Sequence, residues 1–225
     1  MKKELLLAIL PCIVFGVIAA DSTRLNVKGV LVNAACSPSL DKNEVDFGNI
    51  PISSLNKTDA NQLGERNVTL TITCDNAMVM GWTTVDGRSN SVKAMTITTA
   101  AADSSNVTEI SEEYGLGTVG MVNLGSFALT AKTHGVTYDG NPGDLLQADN
   151  VGNGNGTAWE KSTKGVSKSG VRTFTVGATG ETTPKAFKTG IFPLKVTAAV
   201  QGTDVLQITE DTNLDGMVTI SLSYI

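Results

Sequence analysis

Apolar residues in this chain recur at every second position rather than at helical spacing, and that period decides what the chain can fold into. Val218, Ile220, Leu222 and Tyr224 alternate with Thr219, Ser221 and Ser223 up to the last residue, Ile225. Val68, Leu70, Ile72 and Cys74 share one parity, with Asn67, Thr69, Thr71 and Thr73 on the other, and Val30, Val32, Ala34 and Cys36 repeat the pattern earlier. Phe192, Leu194, Val196, Ala198 and Val200 form the longest apolar face. Successive residues of a strand point to opposite sides of its sheet, so each run predicts a strand with one buried and one wetted face. Composition agrees with this. Thr outnumbers Ser 28 to 16, and β-branched Thr suits a pleated, half-wetted surface. Apolar residues make up 41% of the 225 positions, enough for a packed core, which excludes a disordered chain. The expectation is an all-β sandwich.

The remaining segments are read in the same way. Val45 to Ile50 predicts a short strand. Met78 to Val85 and Val92 to Thr99 predict two strands of a hairpin turning at Asp86-Gly87. Between Val122/Leu124 and Phe127/Leu129/Ala131 the parity switches, and a β-bulge at Gly125-Ser126 would reset it. Phe174 and Val176 resume a strand. Residues 141–170 are rich in Gly, Asn, Ser and Lys, including Gly152-Asn153-Gly154-Asn155-Gly156, and predict one long surface loop. The strands flanking it still need partners, so residues 21–225 read as a single domain. Val218 to Tyr224 predicts a core strand with no later strand to cover its free edge.

Residues 1–20 read as a secretory signal. Lys2 and Lys3 supply the positive start, Leu5 to Val17 the apolar stretch, and Ile18-Ala19-Ala20 the small-residue cleavage end before Asp21. The apolar run is about 13 residues, short of the ~20 that a spanning helix needs, and no later run approaches that length. The mature chain is therefore expected to be exported and to carry no membrane span. Cys12 leaves with the signal, which leaves Cys36 and Cys74. In an exported chain two cysteines are most simply one disulfide, and each continues the apolar face of a strand where two sheets could be stitched together. The rival reading, a reactive thiol pair, lacks the C-x-x-C spacing.

Sites for chemistry are scarce. A single His leaves no room for the common multi-His zinc centres. The formal charge of −5, with no basic cluster, gives no footprint for nucleic acid. Gly115-Leu116-Gly117-Thr118-Val119-Gly120 matches a dinucleotide fingerprint in letters, but no buried strand precedes it and no helix follows, so it reads as a glycine-rich turn. Asp211-Thr212-Asn213-Leu214-Asp215-Gly216 matches the first half of a calcium loop. The twelfth position is Leu222 rather than Glu, so a turn into the last strand is preferred to weak calcium binding. His134 lies at a strand end with no nucleophile elbow nearby and reads as a surface His. Trp82 shares parity with Met78 and Met80 and reads as core or interface packing. Trp159, after the glycine-rich stretch, reads as loop packing or as a contact for a sugar or partner. Glu109, Glu112 and Glu113 read as a solvated face. No catalytic residue, metal site or cofactor is assigned.

Several stretches resemble the pilins of chaperone–usher assemblies. Val27 to Cys36 is similar to their first strand, Val45-Asp46-Phe47-Gly48 to the next, and Val68 to Cys74 to the one carrying the partner cysteine. Thr219 to Ile225 is similar to their terminal strand with its penultimate Tyr. More closely, residues 24–225 resemble the GltF-like periplasmic proteins, a family of undefined function often encoded beside chaperone–usher genes. Tyr114-Gly115-Leu116-Gly117 and Leu214 to Ile220 carry that pattern.

The resemblance implies an immunoglobulin-like, pilin-type sandwich lacking its last strand, completed by a strand from a partner through β-augmentation. Val218, Ile220, Leu222 and Tyr224 would line the acceptor groove. The implied partners are a periplasmic chaperone, an outer-membrane usher and other pilus subunits, with the protein in the periplasm or on a surface fimbria. Only Asp21 to Asn26 precede the first strand, and Leu25 is the sole large apolar residue among them. A donor arm of that kind is too short to fill a neighbour's groove, which suits a tip or terminal subunit. The leading expectation is a non-enzymatic structural subunit. The alternative is an adhesin or binding module that recognises a glycan or protein through residues 100–170.

Overall fold

The period-2 runs do become strands, and long-range pairing rather than local turns decides their neighbours. The computed structural model describes residues 35–152 and 158–225. The expected signal segment and most of the strand expected at Val27 to Cys36 therefore lie outside the described residues. Within them, eight strands of five residues or more form: β1 (Cys36–Leu40), β2 (Asn61–Met78), β3 (Met80–Asp86), β4 (Gly125–Ala131), β5 (Asn141–Asp149), β6 (Arg172–Ala178), β7 (Phe187–Val200) and β8 (Val218–Tyr224). All their pairings are antiparallel. One sheet has the order β4-β7-β2-β1 and the other β5-β6-β3-β8. Thr137–Tyr138 bonds to both β7 and β5 and ties the two sheets together at one corner. The fold is an all-β, sandwich-like arrangement.

The core is the apolar parity of both sheets. Leu70 and Ile72 of β2 and Phe187 and Phe192 of β7 are fully buried, as are Trp82 of β3 and Phe174 of β6. Trp82 spans the layers, with its ring 4.9 Å from Phe174 in its own sheet and 5.8 Å from Phe192 in the other. The Trp82 side chain is thus core packing.

The cysteines are joined, but within one sheet rather than between two. Cys36 and Cys74 face each other across β1 and β2 with Cα atoms 4.0 Å apart. The Asp75 N–H donates to the Ala35 carbonyl at 3.1 Å, so the flanking pair is the hydrogen-bonded one. That leaves the cysteines at the position of closest approach in an antiparallel ladder, which suits a direct bridge. Among the described residues Cys36 is the first of β1, which runs on to Leu40.

Three local expectations fail for one reason, which is that tertiary partners outcompete nearby ones. Val92 to Thr99 is not the second arm of a hairpin with β3. The Asp86 carboxylate is buried and accepts the N–H groups of Arg88 (2.7 Å) and Gly115 (3.0 Å), turning the chain away, while β3 pairs with β6 and β8. The displaced segment lies on the outer face of β4 and β7. There Ile97, Ala100, Ala101 and Val107 pack on Ala128, Val166 and Ala199 as a second apolar cluster. This cover explains why β4 is buried at every residue, and why Lys195 can sit buried in β7 with its ammonium on the carbonyls of Thr99 (2.9 Å) and Ala101 (3.1 Å).

Residues 141–170 are not one loop. β5 occupies the first nine, with Leu145, Leu146 and Ala148 buried, and Glu160–Lys161 pairs back onto it. Finally, the parity switch at Gly125-Ser126 marks the start of β4 rather than a bulge. Val122–Asn123 belongs to a separate hairpin with Thr118–Val119, and a side chain on Gly125 would run into the Ala199 carbonyl.

Glu112 and Glu113 are not a solvated face either. Glu113 is 3% exposed, and burial pushes its carboxyl above the usual carboxylate range. Glu112 joins Lys168 and Asp149 around Arg172. The Arg172 guanidinium grips Asp149 with two hydrogen bonds (2.8 and 3.2 Å) and donates to the Val166 carbonyl. Those bonds hold the Asp149 carboxyl below its ordinary pKa. Arg172→Ala should cost about 2 kcal/mol at pH 7, less than a fully buried pair because the Asp149 side chain is 37% exposed. A carboxylate whose pKa is lower in the folded state stabilises above its unfolded pKa of about 3.9 and loses that contribution as pH falls through the folded value. The gap between urea melts of wild type and variant should therefore be constant well above about pH 3.9 and begin to narrow as pH falls below it. A gap that does not narrow at all on acidification would refute the ion-pair origin.

Candidate functional site: an apolar furrow between two sheet edges

Among the described residues, β1 pairs only with β2 and β8 only with β3. These two edges approach each other from opposite sheets. The Gly87 N–H donates to the Met217 carbonyl, and the Ile225 N–H reaches Val79. In the β3–β8 ladder this places the backbone groups of Thr219, Ser221 and Ser223 toward β3, and those of Val218, Ile220, Leu222 and Tyr224 toward the free edge. The residues with outward backbone groups are the same ones whose parity runs toward the core.

Between the edges lies a furrow of ≈ 330 Å³, with Leu40, Phe127, Leu129, Leu194, Val218 and Ile220 among its lining. Of the four residues expected in a groove, Val218 and Ile220 line it. Leu222 is half-buried, stands opposite Trp82 and packs on the core, while Tyr224 is 64% exposed and lies outside. The furrow lies at the Leu40 end of β1 and the Val218 end of β8.

One lip is the chain after β1. Val45 and Phe47 are half-buried and line the furrow, which explains the strand-like alternation of residues 45–50, but no ladder forms there. Arg66 takes the ladder's place. Its Nε donates to the Asp46 carbonyl at 2.9 Å and its guanidinium stacks over the Phe47 ring at 4.9 Å. The Asp41 carboxylate accepts the Thr69 N–H at 2.7 Å where the chain leaves β2.

The opposite lip is Leu214 to Gly216, clamped by the glycine-rich stretch Gly115–Gly120. The Asp215 N–H donates to the Leu116 carbonyl at 2.9 Å, and its carboxylate takes two hydrogen bonds from Arg88, at 2.7 and 3.0 Å, that hold it below the usual carboxylate range. Gly117 has φ +87°, and a Cβ there would sit 3.1 Å from the Cβ of Asp215. The Gly115–Gly120 stretch is not the single turn expected: Gly115 pairs with Ser126, Thr118–Val119 pairs with Val122–Asn123 and the chain turns at Gly120, while Asp215 is committed to Arg88. The Arg88–Asp215 and Arg66–Phe47 contacts escaped the sequence reading, because their partners lie far apart along the chain. Trp159 is half-buried and His134 exposed, and neither lines the furrow.

Together these features define a two-sheet antiparallel β protein with a disulfide-pinned edge strand and an open apolar seam. Residues 25–128 match the family described as "Protein of unknown function (DUF1120)". The chain is 32% identical to Protein GltF of Escherichia coli (strain K12) over 94% of its own length and 92% of that protein's. It is 30% identical to the Uncharacterized protein YhcF of the same organism, covering 92% of each chain. The chain belongs to the family of GltF and YhcF.

Proposed function

We propose that this chain is an exported assembly subunit of the pilin type, completed when a partner adds a β-strand along the free edge of β8. The observation that carries this reading is the furrow: apolar side chains of Val218 and Ile220 meet, at one opening, backbone groups of the same strand that have no partner among the described residues. An exposed edge beside open apolar core is an aggregation hazard that a donated strand removes. The strand order adds support. β1-β2-β7-β4 follows the A-B-E-D sheet of an immunoglobulin sandwich, and β8-β3 its F-C pair, with the furrow where strand G would lie. On this reading the partners are a periplasmic chaperone, an usher and neighbouring subunits, and the role is structural rather than enzymatic.

The test uses Ile220→Asp, which places a charge in the furrow, with Ser221→Asp on the outer face as control. Each is expressed with the chaperone encoded nearest its gene. Ile220→Asp should lose chaperone co-purification at least tenfold while Ser221→Asp keeps it. A folded Ile220→Asp protein that retains the chaperone would overturn the proposal.

A further inference from the structure

The furrow does not stop at the end of β8. Past Val45, Phe47 and Leu214, which line both spaces, it continues into a larger one of ≈ 820 Å³ between the chain after β1 and the chain before β8. The floor of this second space is apolar, with Leu63, Leu124, Val200, Leu206 and Ile208 among its lining. Its charged lining consists of Glu44, Asp46 and Asp211, with no Lys or Arg among the described residues that line it. The cations on the adjoining lips are already engaged: Arg66 stacks on Phe47 and donates to the Asp46 carbonyl, Lys42 donates to the Asn67 carbonyl, and Arg88 pairs with Asp215. The Asp46 carboxylate caps the Gly48 N–H at 2.6 Å, whereas Glu44 and Asp211 are exposed and make no side-chain bond among the described residues.

We infer that the segment occupying this seam is longer than β8 and carries basic side chains at the end that passes Glu44 and Asp211. This rests on the strand-addition reading and specifies the chemistry of the partner. An extended segment covers the seven residues of β8 at about 3.3 Å each and must continue beyond them to enter the second space. Apolar side chains at alternate positions fill the floor, and Lys or Arg between them meets the two free carboxylates. Complementary charge of this kind selects the partner and fixes its register more than it adds raw affinity. An acidic segment would face like charge over the same stretch.

The experiment measures binding of two fluorescein-labelled synthetic peptides of about twelve residues to the purified chain by fluorescence polarisation. Both carry the same alternating Val and Thr tract opposite β8. One continues with Leu and Lys, the other with Leu and Glu. The Lys peptide should bind at least tenfold more tightly at low salt, and the ratio should shrink toward one in Glu44→Gln/Asp211→Asn. Equal binding of the two peptides, or a preference that the double variant leaves intact, overturns the inference but leaves strand addition standing. Failure of both peptides to bind overturns strand addition itself, and this inference with it.

Discussion

Replacing Cys36 and Cys74 together with Ala should lower the unfolding free energy by about 4 kcal/mol, the entropy of closing a loop of sequence separation 38. For a chain of this size that is a fall in Tm of about 10 °C. The effect should be concentrated at one place. β1 is five residues long and, among the described residues, has a single neighbouring strand, so the bridge is its strongest tie to the fold. Without it β1 keeps only its ladder to β2 and the contacts of Leu40, and one wall of the furrow loosens. Two measurements check this. Guanidinium melts of wild type with and without reductant should differ by the same amount as melts of wild type and the Cys36→Ala/Cys74→Ala variant. Hydrogen exchange should then rise first in residues 36–40. A variant within 2 °C of wild type, or one that opens uniformly, would contradict the assignment of the disulfide as the pin of this edge.

What was legible in the sequence, and what was not, follows from the range of the interactions. The parity of Val68 to Cys74, of Phe192 to Val200 and of Val218 to Tyr224 is a one-dimensional record of which face meets the core, and each became a strand. Strand neighbours are a different matter. Asp86-Gly87 carries a strong hairpin signal, yet the chain that follows is drawn to the outer face of β4 and β7, because Ala128 and Ala199 leave room there for Ile97 and Val107. Small residues in a strand look weak in a hydropathy pattern, but here they mark a surface that another segment covers. Residues 141–149 hid their strand for a similar reason. Asn141, Pro142 and Gly143 read as loop, while Leu145, Leu146 and Ala148 supply the buried part. The furrow itself was half legible: alternation put Val218 and Ile220 on one face of the last strand, and the resemblance to pilins placed that face in a groove. Its other wall, from Leu40 to Phe47, is held by Arg66 side-chain bonds that no local pattern encodes.

Trp82→Ala should be about as costly as loss of the disulfide, at roughly 4 kcal/mol, because it empties the space between the two sheets. Trp82 is fully buried against Phe174 and Phe192, and Leu222 stands directly opposite it across the β3–β8 ladder. Trp82→Phe should behave very differently. The indole Nε1–H is buried and finds no acceptor among the described residues, so the wild type carries the desolvation cost of an unpaired donor, about 1–3 kcal/mol. Removing that donor offsets the smaller ring, and the Phe variant should stay within about 1 kcal/mol of wild type. Urea titrations of the three proteins give the stabilities, and Trp159 remains as a fluorophore when Trp82 is gone. The consequence for the seam follows from the Leu222 pairing. Loss of the Trp82 ring removes the surface against which β8 sets its core-facing parity, so the Ala variant should bind the Lys-bearing peptide at least tenfold more weakly even under conditions where it is folded. The Phe variant should bind it as wild type does. If both variants bind alike, then β8 is positioned by its ladder to β3 alone, and the packing of Trp82 does not reach the edge.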